Sequence, residues 1–567
     1  VSTGDIGSVW RSELVRVLLI NSNRKVDLLS APPLGLCYVA GAAESAGHEV
    51  KVLDLCFVRR GMARKVCAAI RRFDPDVIGM SVRNIDNVNM LHPVSYLPEV
   101  VEIKNVIRRC TRAPLVIGGS GASLMAEHVL RLLEADYIVV SDGEESFVKL
   151  LRAIGRGECP AGIPGVGMIV DDRFQLTKPQ LTGFSGRPPD LGRWVDTRPY
   201  QNIGSSYNIQ TKRGCRQQCI YCTYNQSLEG NRLRLRPPVE VVDEIEEALF
   251  KYSPATFELV DSVFNDPMEH SVQILEEIVR RPWKAEFTAM GVHPRHLDDA
   301  YLDLMWRAGF RSFMITPESA SQTMLENYRK GFSTEDVAKA VEAINRTAFC
   351  AWWFFMIGGP GETNDTLNES LNFALKNLQK HGRAATHVAH FFIGVRIYPG
   401  TKLWETAVRE GFIHADSDPR HNLWYVSEGL DLDEAVDQMT GAASLCPEIY
   451  LGFDERILVF SRAAATVFSL LRFPRPYWRY FRAANLIGIR TGIRFMYRPP
   501  NVPEMVRSAL RRQGYCGLHV QRAPDSCESV TSALLTDSIA RDADTARPAN
   551  EVIPVCAASR TEPNRSR

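Results

Sequence analysis

The chain lacks an excess of charge of either sign, a long apolar run and any paired set of cysteines. Net charge is +1 over 567 residues. Nucleic-acid proteins usually carry a basic excess or stripe, so that class is excluded. No run of about eighteen apolar residues occurs, which excludes a transmembrane helix. The nearest candidate, ILVFSRAAATVFSLLRF from Ile457, is broken by Arg462 and Arg472 and reads as an amphipathic helix. Nothing at the N-terminus reads as a secretory signal. The initial Val suggests a non-AUG start in a bacterial gene with an untouched N-terminus. The thirteen cysteines show no pairing pattern, as expected of a reducing cytoplasm. What is present is ordinary: 45% apolar and 23% charged residues. The length predicts two to four domains.

Against this background RGCRQQCIYCTYN, residues 213–225, stands out. Cys215, Cys219 and Cys222 are spaced C-x3-C-x2-C, with Tyr221 before the third. A structural zinc site wants four ligands, usually two pairs, and no second pair lies nearby. Three is an odd number for disulfides. A four-thiolate iron–sulfur site would need one more Cys. A cubane held by three thiolates leaves one iron open to a small chelating molecule. Three unrelated buried cysteines would also satisfy composition, but the spacing and the flanking Gly and Tyr argue against that.

The rest of the chain alternates short apolar runs with helix-length segments. VRVLLI (15–20), VKVLDL (50–55), DVIGMS (76–81), PLVIGG (114–119) and DYIVVS (136–141) predict an open, doubly wound α/β domain of about five parallel strands. Ligands of such sheets bind at the carboxyl ends of strands. Those ends carry SVRNIDN with Arg83 and Asn84, GGSGAS with Gly118, Gly119, Ser120 and Gly121, and SDGEES with Asp142, Gly143 and Glu144. No G-x-G-x-x-G follows the first strand, so a dinucleotide site is not expected. Alternation resumes near Asn208 and gives about six βα units, a partial parallel barrel with its chemistry at the C-terminal face. Its strand ends carry Asp261, Glu318, Gly358 with Gly359, and VRIYPGT (395–401). For Glu318 a structural pairing with Arg311 or Arg329 competes with a ligand role; for the glycines a tight turn does. Domain boundaries are expected at 10–155, a Gly/Pro-rich linker at 156–206, the barrel at 207–415, a helical region at 416–520 and a disordered tail at 521–567.

C-x3-C-x2-C within IQTKRGCRQQCIYCTYNQSLEG resembles the signature of the radical S-adenosylmethionine (SAM) enzymes. PPLGLCYVAGAAESAGHEV and GGSGAS...DGEES, ahead of it, resemble the cobalamin-binding, Rossmann-like domain of one large subclass. The resemblance implies a [4Fe–4S] cluster on Cys215, Cys219 and Cys222. It implies SAM on the open iron, with contacts from Asp261, Glu318 and the Gly358–Gly359 turn, and a (β/α)6 core. It implies cobalamin against Arg83, Asn84, Gly118 to Gly121 and Asp142 to Glu144. The D-x-H-x-x-G motif that ligates cobalt from below in some relatives is absent; His92 stands at the wrong spacing from Asp86. Arg83 is then expected at the lower face. The GGE of many radical SAM enzymes is also missing. A second cluster, as in methylthiotransferases, is not expected from Cys37, Cys56, Cys67 and Cys110.

The implied activity is that of a methyltransferase (EC 2.1.1.-), in which methylcobalamin delivers a methyl group to an unactivated carbon or phosphinate phosphorus of a natural-product intermediate, as in antibiotic biosynthesis. The alternatives are a cobalamin-dependent cyclase, oxidase or rearrangement enzyme without methyl transfer, and a cobalamin-binding sensor. A flavodoxin- or ferredoxin-type reductant is implied. Arg475, Arg479, Arg482, Arg490, Arg494 and Arg498, in the basic aromatic stretch 473–500, suit an anionic small-molecule substrate, a membrane surface or merely a solvated helical face.

Overall fold

The computed structural model describes residues 14–24, 30–184, 189–379, 384–452, 464, 466–480, 482–484, 486–487 and 501–515. The expected tail and Arg490, Arg494 and Arg498 lie outside the described residues.

The first sheet is built from β1 (Arg16–Asn21), β2 (Glu49–Asp54), β3 (Val77–Ser81), β4 (Leu115–Gly118) and β5 (Tyr137–Val139), parallel in the order 2-1-3-4-5. Alternate side chains serve two cores. Leu18 and Ile20 pack with the helices Met62–Phe73 and Leu97–Cys110, whereas Val17 and Leu19 pack with Leu34–Ser45 and Glu144–Arg156. A strand buried on both faces must be apolar throughout, hence the continuous runs.

The stretch expected as a linker begins with structure. β6 (Val166–Val170) and β7 (Arg173–Leu176) form a hairpin that extends this sheet antiparallel from β5. Its two-residue turn, Asp171–Asp172, has φ of 48° and 59°, the sense that matches strand twist. A second departure is covalent. Cys67 and Cys110, on adjacent helices, form a disulfide across Cα atoms 5.7 Å apart, so these cysteines are not all unpaired.

The second sheet comprises β8 (Tyr207–Ile209), β11 (Phe257–Leu259), β12 (Phe287–Val292), β13 (Phe310–Glu318), β14 (Cys350–Ile357), β15 (Thr386–Ile393) and β18 (Ile449–Leu451), in that order and all parallel. The barrel therefore takes a seventh strand from beyond residue 420, where its pattern was expected to stop; three residues are too few to display a period. Between β8 and β11, β9 (Lys212–Arg213) pairs with β10 (Arg234–Leu235). After β15, β16 (Val395–Arg396) pairs with β17 (Trp424–Tyr425). The helices Leu432–Leu445 and Val502–Arg512 pack together on the barrel core.

The two sheets are not independent bodies. Cys37, Met90 and Leu91 of the first belong to the core of the second. At Gly394 (φ 89°) a Cβ would stand 2.3 Å from the Met90 sulfur. Only glycine admits that contact at that backbone angle.

Candidate active site

The loop between β9 and β10 carries the three spaced cysteines. It is pinned at its neck. Gly214 has φ 87°, and a Cβ there would meet the Arg232 carbonyl oxygen at 2.3 Å. The Gly214 N–H donates to Glu229 at 2.8 Å, and Cys215 N–H to the Gly230 carbonyl at 3.1 Å. Within the loop Cys222 N–H donates to the Cys219 carbonyl at 3.2 Å. Burial pushes the Cys215 thiol up to about 11, and Cys222 and Cys219 add to the shift. Burial raises Cys222 as well, with Cys219 contributing. Three crowded thiolates away from water need compensating positive charge, which iron supplies. Among the described residues no three His, Cys, Asp or Glu side chains close around a single ion. A cubane distributes its thiolates over separate irons, which suits three cysteines spaced along one loop.

Beside the loop lies a buried network. Tyr221 donates its hydroxyl to Glu318 Oε1 at 2.9 Å, and Lys330 Nζ donates to the Tyr221 oxygen at 2.9 Å. Lys330 stands 3.5 Å from Glu318, so the partner of Glu318 is Lys330 and not Arg311 or Arg329. Arg311 instead lies over the Trp306 ring, 4.1 Å from its centroid. Burial raises the Glu318 carboxyl while Lys330 opposes it. After burial, which acts the other way, the charges of Cys219 and Glu318 are the main influences on Lys330.

Two of the expected SAM contacts also make hydrogen bonds within the protein. Asp261 is 1% exposed. Its Oδ1 accepts from Thr211 N–H (2.8 Å) and Lys212 N–H (3.1 Å), and its Oδ2 from the Thr211 hydroxyl (2.7 Å). It ties the end of β11 to the strand leading into the cluster loop. Gly358 and Gly359 donate N–H groups to the Glu362 carboxylate at 2.5 and 3.0 Å. A Cβ on Gly359 would lie 2.1 Å from the Tyr328 hydroxyl. These glycines close a tight turn, and neither borders the main cavity. Burial pushes Glu362 up to about 8 against the pull of the two N–H groups.

That cavity, about 1120 Å³, lies between the two sheets. One side is made by Arg83, Asn84, Gly118, Gly119, Ser120, Asp142, Gly143 and Glu144 of the first sheet. The other holds Cys222 and the barrel lumen, with Asn208, Glu258, Thr288, Met314, Trp352 and Phe354. Tyr477, Trp478 and Tyr480 also line it. Gly121 borders an adjoining cavity of about 320 Å³ with Arg83, Asn84 and Ser120. Gly119 has φ 97°, and a Cβ there would be 2.8 Å from the Val82 oxygen. Among the described residues no histidine lines either cavity, whereas Arg83 lines both. The space and its lining suit a large cofactor without a histidine ligand.

Ion pairs hold the cavity walls together. Arg213, on the cluster strand, reaches Glu144 at 2.5 Å and Asp142 at 3.5 Å, between the rings of Tyr38 and Phe184. Arg234 stands 3.2 Å from Asp142. Burial raises the Asp142 carboxyl, opposed by Arg213 and Arg234. Arg396, in the VRIYPGT stretch, is paired with Asp86 at 3.1 Å, each side chain 2% exposed. Sequence reasoning missed these arginines because their partners lie far away in the chain. The described C-terminal arginines are engaged within the protein. Arg475 donates to the Gln201 and Ser205 carbonyls, Arg479 to the Arg475 carbonyl, and Arg482 to Glu448 at 2.6 Å. Among the described residues this segment offers the cavity aromatic rings, not cations.

Residues 26–151 match the B12-binding domain family, and residues 209–374 match the radical SAM superfamily. The chain belongs to the cobalamin-dependent radical SAM enzymes. Its cofactors are accordingly a [4Fe–4S] cluster, SAM and cobalamin. Among these enzymes it is 24% identical over 471 residues to cytidylyl-2-hydroxyethylphosphonate methyltransferase of Streptomyces wedmorensis, covering 72% of this chain and 84% of the relative. It is 24% identical over 450 residues to tryptophan 2-C-methyltransferase of Streptomyces laurentii, covering 68% and 73%. Its fold is similar to that of the radical SAM methyltransferase TsrM from Kitasatospora setae, solved with cobalamin and a [4Fe–4S] cluster. The TM-score is 0.72 at 24% identity, over 88% of this chain and all of that one.

Proposed function

We propose that this chain is a methyltransferase acting on an unactivated carbon, or a phosphinate phosphorus, of a small natural-product intermediate. The supporting observation is the single cavity bordered by both Cys222 and the strand ends of the B12-binding domain. Cys215, Cys219 and Cys222 would hold the cluster. Arg83, Asn84, the Gly118–Gly121 turn and Asp142 to Glu144 would border cobalamin, and Glu318 would face SAM. When bound, the cluster with SAM supplies radical chemistry and cobalamin supplies methyl transfer. The protein's own part is orientation and exclusion of water. Lys330, Tyr221 and Glu318 fix the neighbourhood of the cluster loop, Arg213 and Arg396 lock the two sheets, and the Tyr477–Tyr480 segment walls the lumen with aromatic rings. A flavodoxin- or ferredoxin-type protein would deliver electrons, and the cytoplasm is the fitting compartment. No helix among the described residues is long and apolar enough to cross a membrane.

The test is anaerobic reconstitution with iron, sulfide and hydroxocobalamin, followed by SAM and a strong reductant. S-adenosylhomocysteine and 5′-deoxyadenosine are quantified by mass spectrometry in wild type and Cys222→Ala. Both products in wild type, with deoxyadenosine lost in the variant, support methyl transfer. Deoxyadenosine alone indicates the cyclase or oxidase alternative. Neither product, from protein that holds both cofactors, indicates a sensor.

A further inference from the structure

The barrel lumen carries a polar pair that the cofactors do not explain. Asn208 on β8 and Glu258 on β11 face each other in register. Asn208 Nδ2 donates to Glu258 Oε2 at 3.0 Å. This uses one of the two amide N–H bonds and leaves Asn208 Oδ1 and the second Glu258 oxygen as acceptors. Asn208 Oδ1 is buried without a hydrogen-bond partner in a side chain only 2% exposed, and the residue lines the cavity. Glu258 has no other hydrogen bond and no ion pair within 4.0 Å among the described residues. A buried acceptor left unmatched is costly, and so is a half-buried carboxylate without a close cation. Burial indeed raises the Glu258 carboxyl, with Asn208 and the more remote Arg83 opposing. Thr288 is the register neighbour of Glu258, and elsewhere on the same cavity wall stand aromatic rings. The Trp352 and Phe354 rings stack at 5.1 Å, and Trp478 lies 5.4 Å from Trp352.

A carboxylate and a free amide oxygen on the wall of a cavity that also holds aromatic rings select a hydrogen-bond donor bearing positive charge. Charge-assisted bonds to an ammonium satisfy both acceptors. A phosphinate or carboxylate at this place would meet the Glu258 charge. We propose that the substrate carries a basic amine, which docks as its ammonium ion on Asn208 and Glu258 with its carbon skeleton against Trp352, Phe354 and Trp478. The proposal rests on the methyltransferase reading for the presence of a substrate here, and it narrows that reading to an amine-bearing molecule with a carbon acceptor.

The test uses the full chain loaded with cluster and cobalamin. Tryptamine, its alcohol counterpart tryptophol and the acid indole-3-propionate serve as probes. Binding is measured by equilibrium dialysis with and without SAM, in wild type, Glu258→Gln and Asn208→Ala. Iron content and cobalamin absorbance certify each variant as folded. The expected result is at least tenfold tighter binding of tryptamine than of either other probe. That preference should collapse in Glu258→Gln, weaken in Asn208→Ala and persist with SAM present. Equal binding of the three probes, no binding of tryptamine, a preference that survives Glu258→Gln, or displacement of tryptamine by SAM would each overturn the proposal. S-adenosylhomocysteine formation is scored separately. Its presence without an amine preference removes only the substrate class, whereas an amine preference in an enzyme that never forms it removes only the methyltransferase reading.

Discussion

Replacing Arg213 by Met removes the cation that joins the cluster strand to the B12-binding domain while keeping most of the apolar stem between Tyr38 and Phe184. In the native protein Arg213 and Glu144 are 2.5 Å apart, and their side chains are 7% and 4% exposed. Asp142 is 3.5 Å away and 5% exposed, and it retains Arg234. Glu144 thus loses its partner outright, and Asp142 loses one of two. Breaking a buried pair from one side costs about 3–5 kcal/mol, because the remaining charge stays in a poorly solvating place. The loss of Arg213 is therefore expected to lower stability by about that amount in urea unfolding of the apoprotein, followed by far-UV circular dichroism. Its pH dependence is the sharper test. Burial already raises the folded Asp142 carboxyl, and Arg213 is first among the groups that pull it back. Without Arg213 the folded value rises further above the unfolded one. A group raised on folding contributes stability below its unfolded pKa and loses it as pH climbs through the folded value. The deficit of Arg213→Met should therefore be smallest in acid and grow toward neutrality. A variant as stable as wild type, or a deficit independent of pH, would refute the claim that these carboxylates depend on Arg213.

Gly119→Ala is expected to weaken cobalamin retention, because its Cβ would stand 2.8 Å from the Val82 oxygen at a φ of 97°; such strain costs about 1–3 kcal/mol. Cobalamin absorbance after gel filtration measures it, and undiminished retention would remove this turn from the cofactor cradle. Glu362→Gln keeps an acceptor for the Gly358 and Gly359 N–H groups but cannot ionise. Folded Glu362 is raised from 4.5 to about 8, so wild type loses stability across that window while the variant does not. The variant should gain on wild type as pH rises from 4.5 to about 8, read from denaturation midpoints; a constant difference would count against a buried neutral Glu362.

How far the sequence could be read depended on how local each feature is. The cysteine triad spans eight residues and was legible at once. The parallel strands were legible because burial on both faces leaves a continuous apolar run. β18 was not, being three residues long, and the β6–β7 hairpin was hidden by the Gly- and Pro-rich text around it. Asp86 and Arg396 are separated by 310 residues, so no local pattern could announce their pair. Glu258 was missed for another reason. In TFELVDSVF a polar residue between apolar ones reads as the solvent side of a strand, yet a barrel lumen is a second place where polar side chains point. Only closure of the sheet separates the two. Asp261 shows a different limit: a carboxylate at a barrel strand end reads as a ligand, and the bonds it accepts from Thr211 and Lys212 have no local signature in the sequence.

The same long-range contacts explain why the cavity is ready for its cofactors. The strand ends of the two sheets enclose one space only if the sheets keep their mutual orientation. Separated ties enforce it, among them Arg213 with Asp142 and Glu144, Arg234 with Asp142, Arg396 with Asp86, and Met90 against Gly394. The cost of orienting the sheets is met during folding instead of on binding, which is how a preorganised site gains affinity. Loss of any one tie should then disturb the relation of cluster to cobalamin more than the binding of either alone. In Arg213→Met protein that still holds both cofactors, deoxyadenosine formation should fall less than S-adenosylhomocysteine formation. The former needs only the barrel's own cluster and SAM, whereas the latter needs SAM and cobalamin held across the domain junction. An equal fall in both products would mean that the junction merely stabilises the chain.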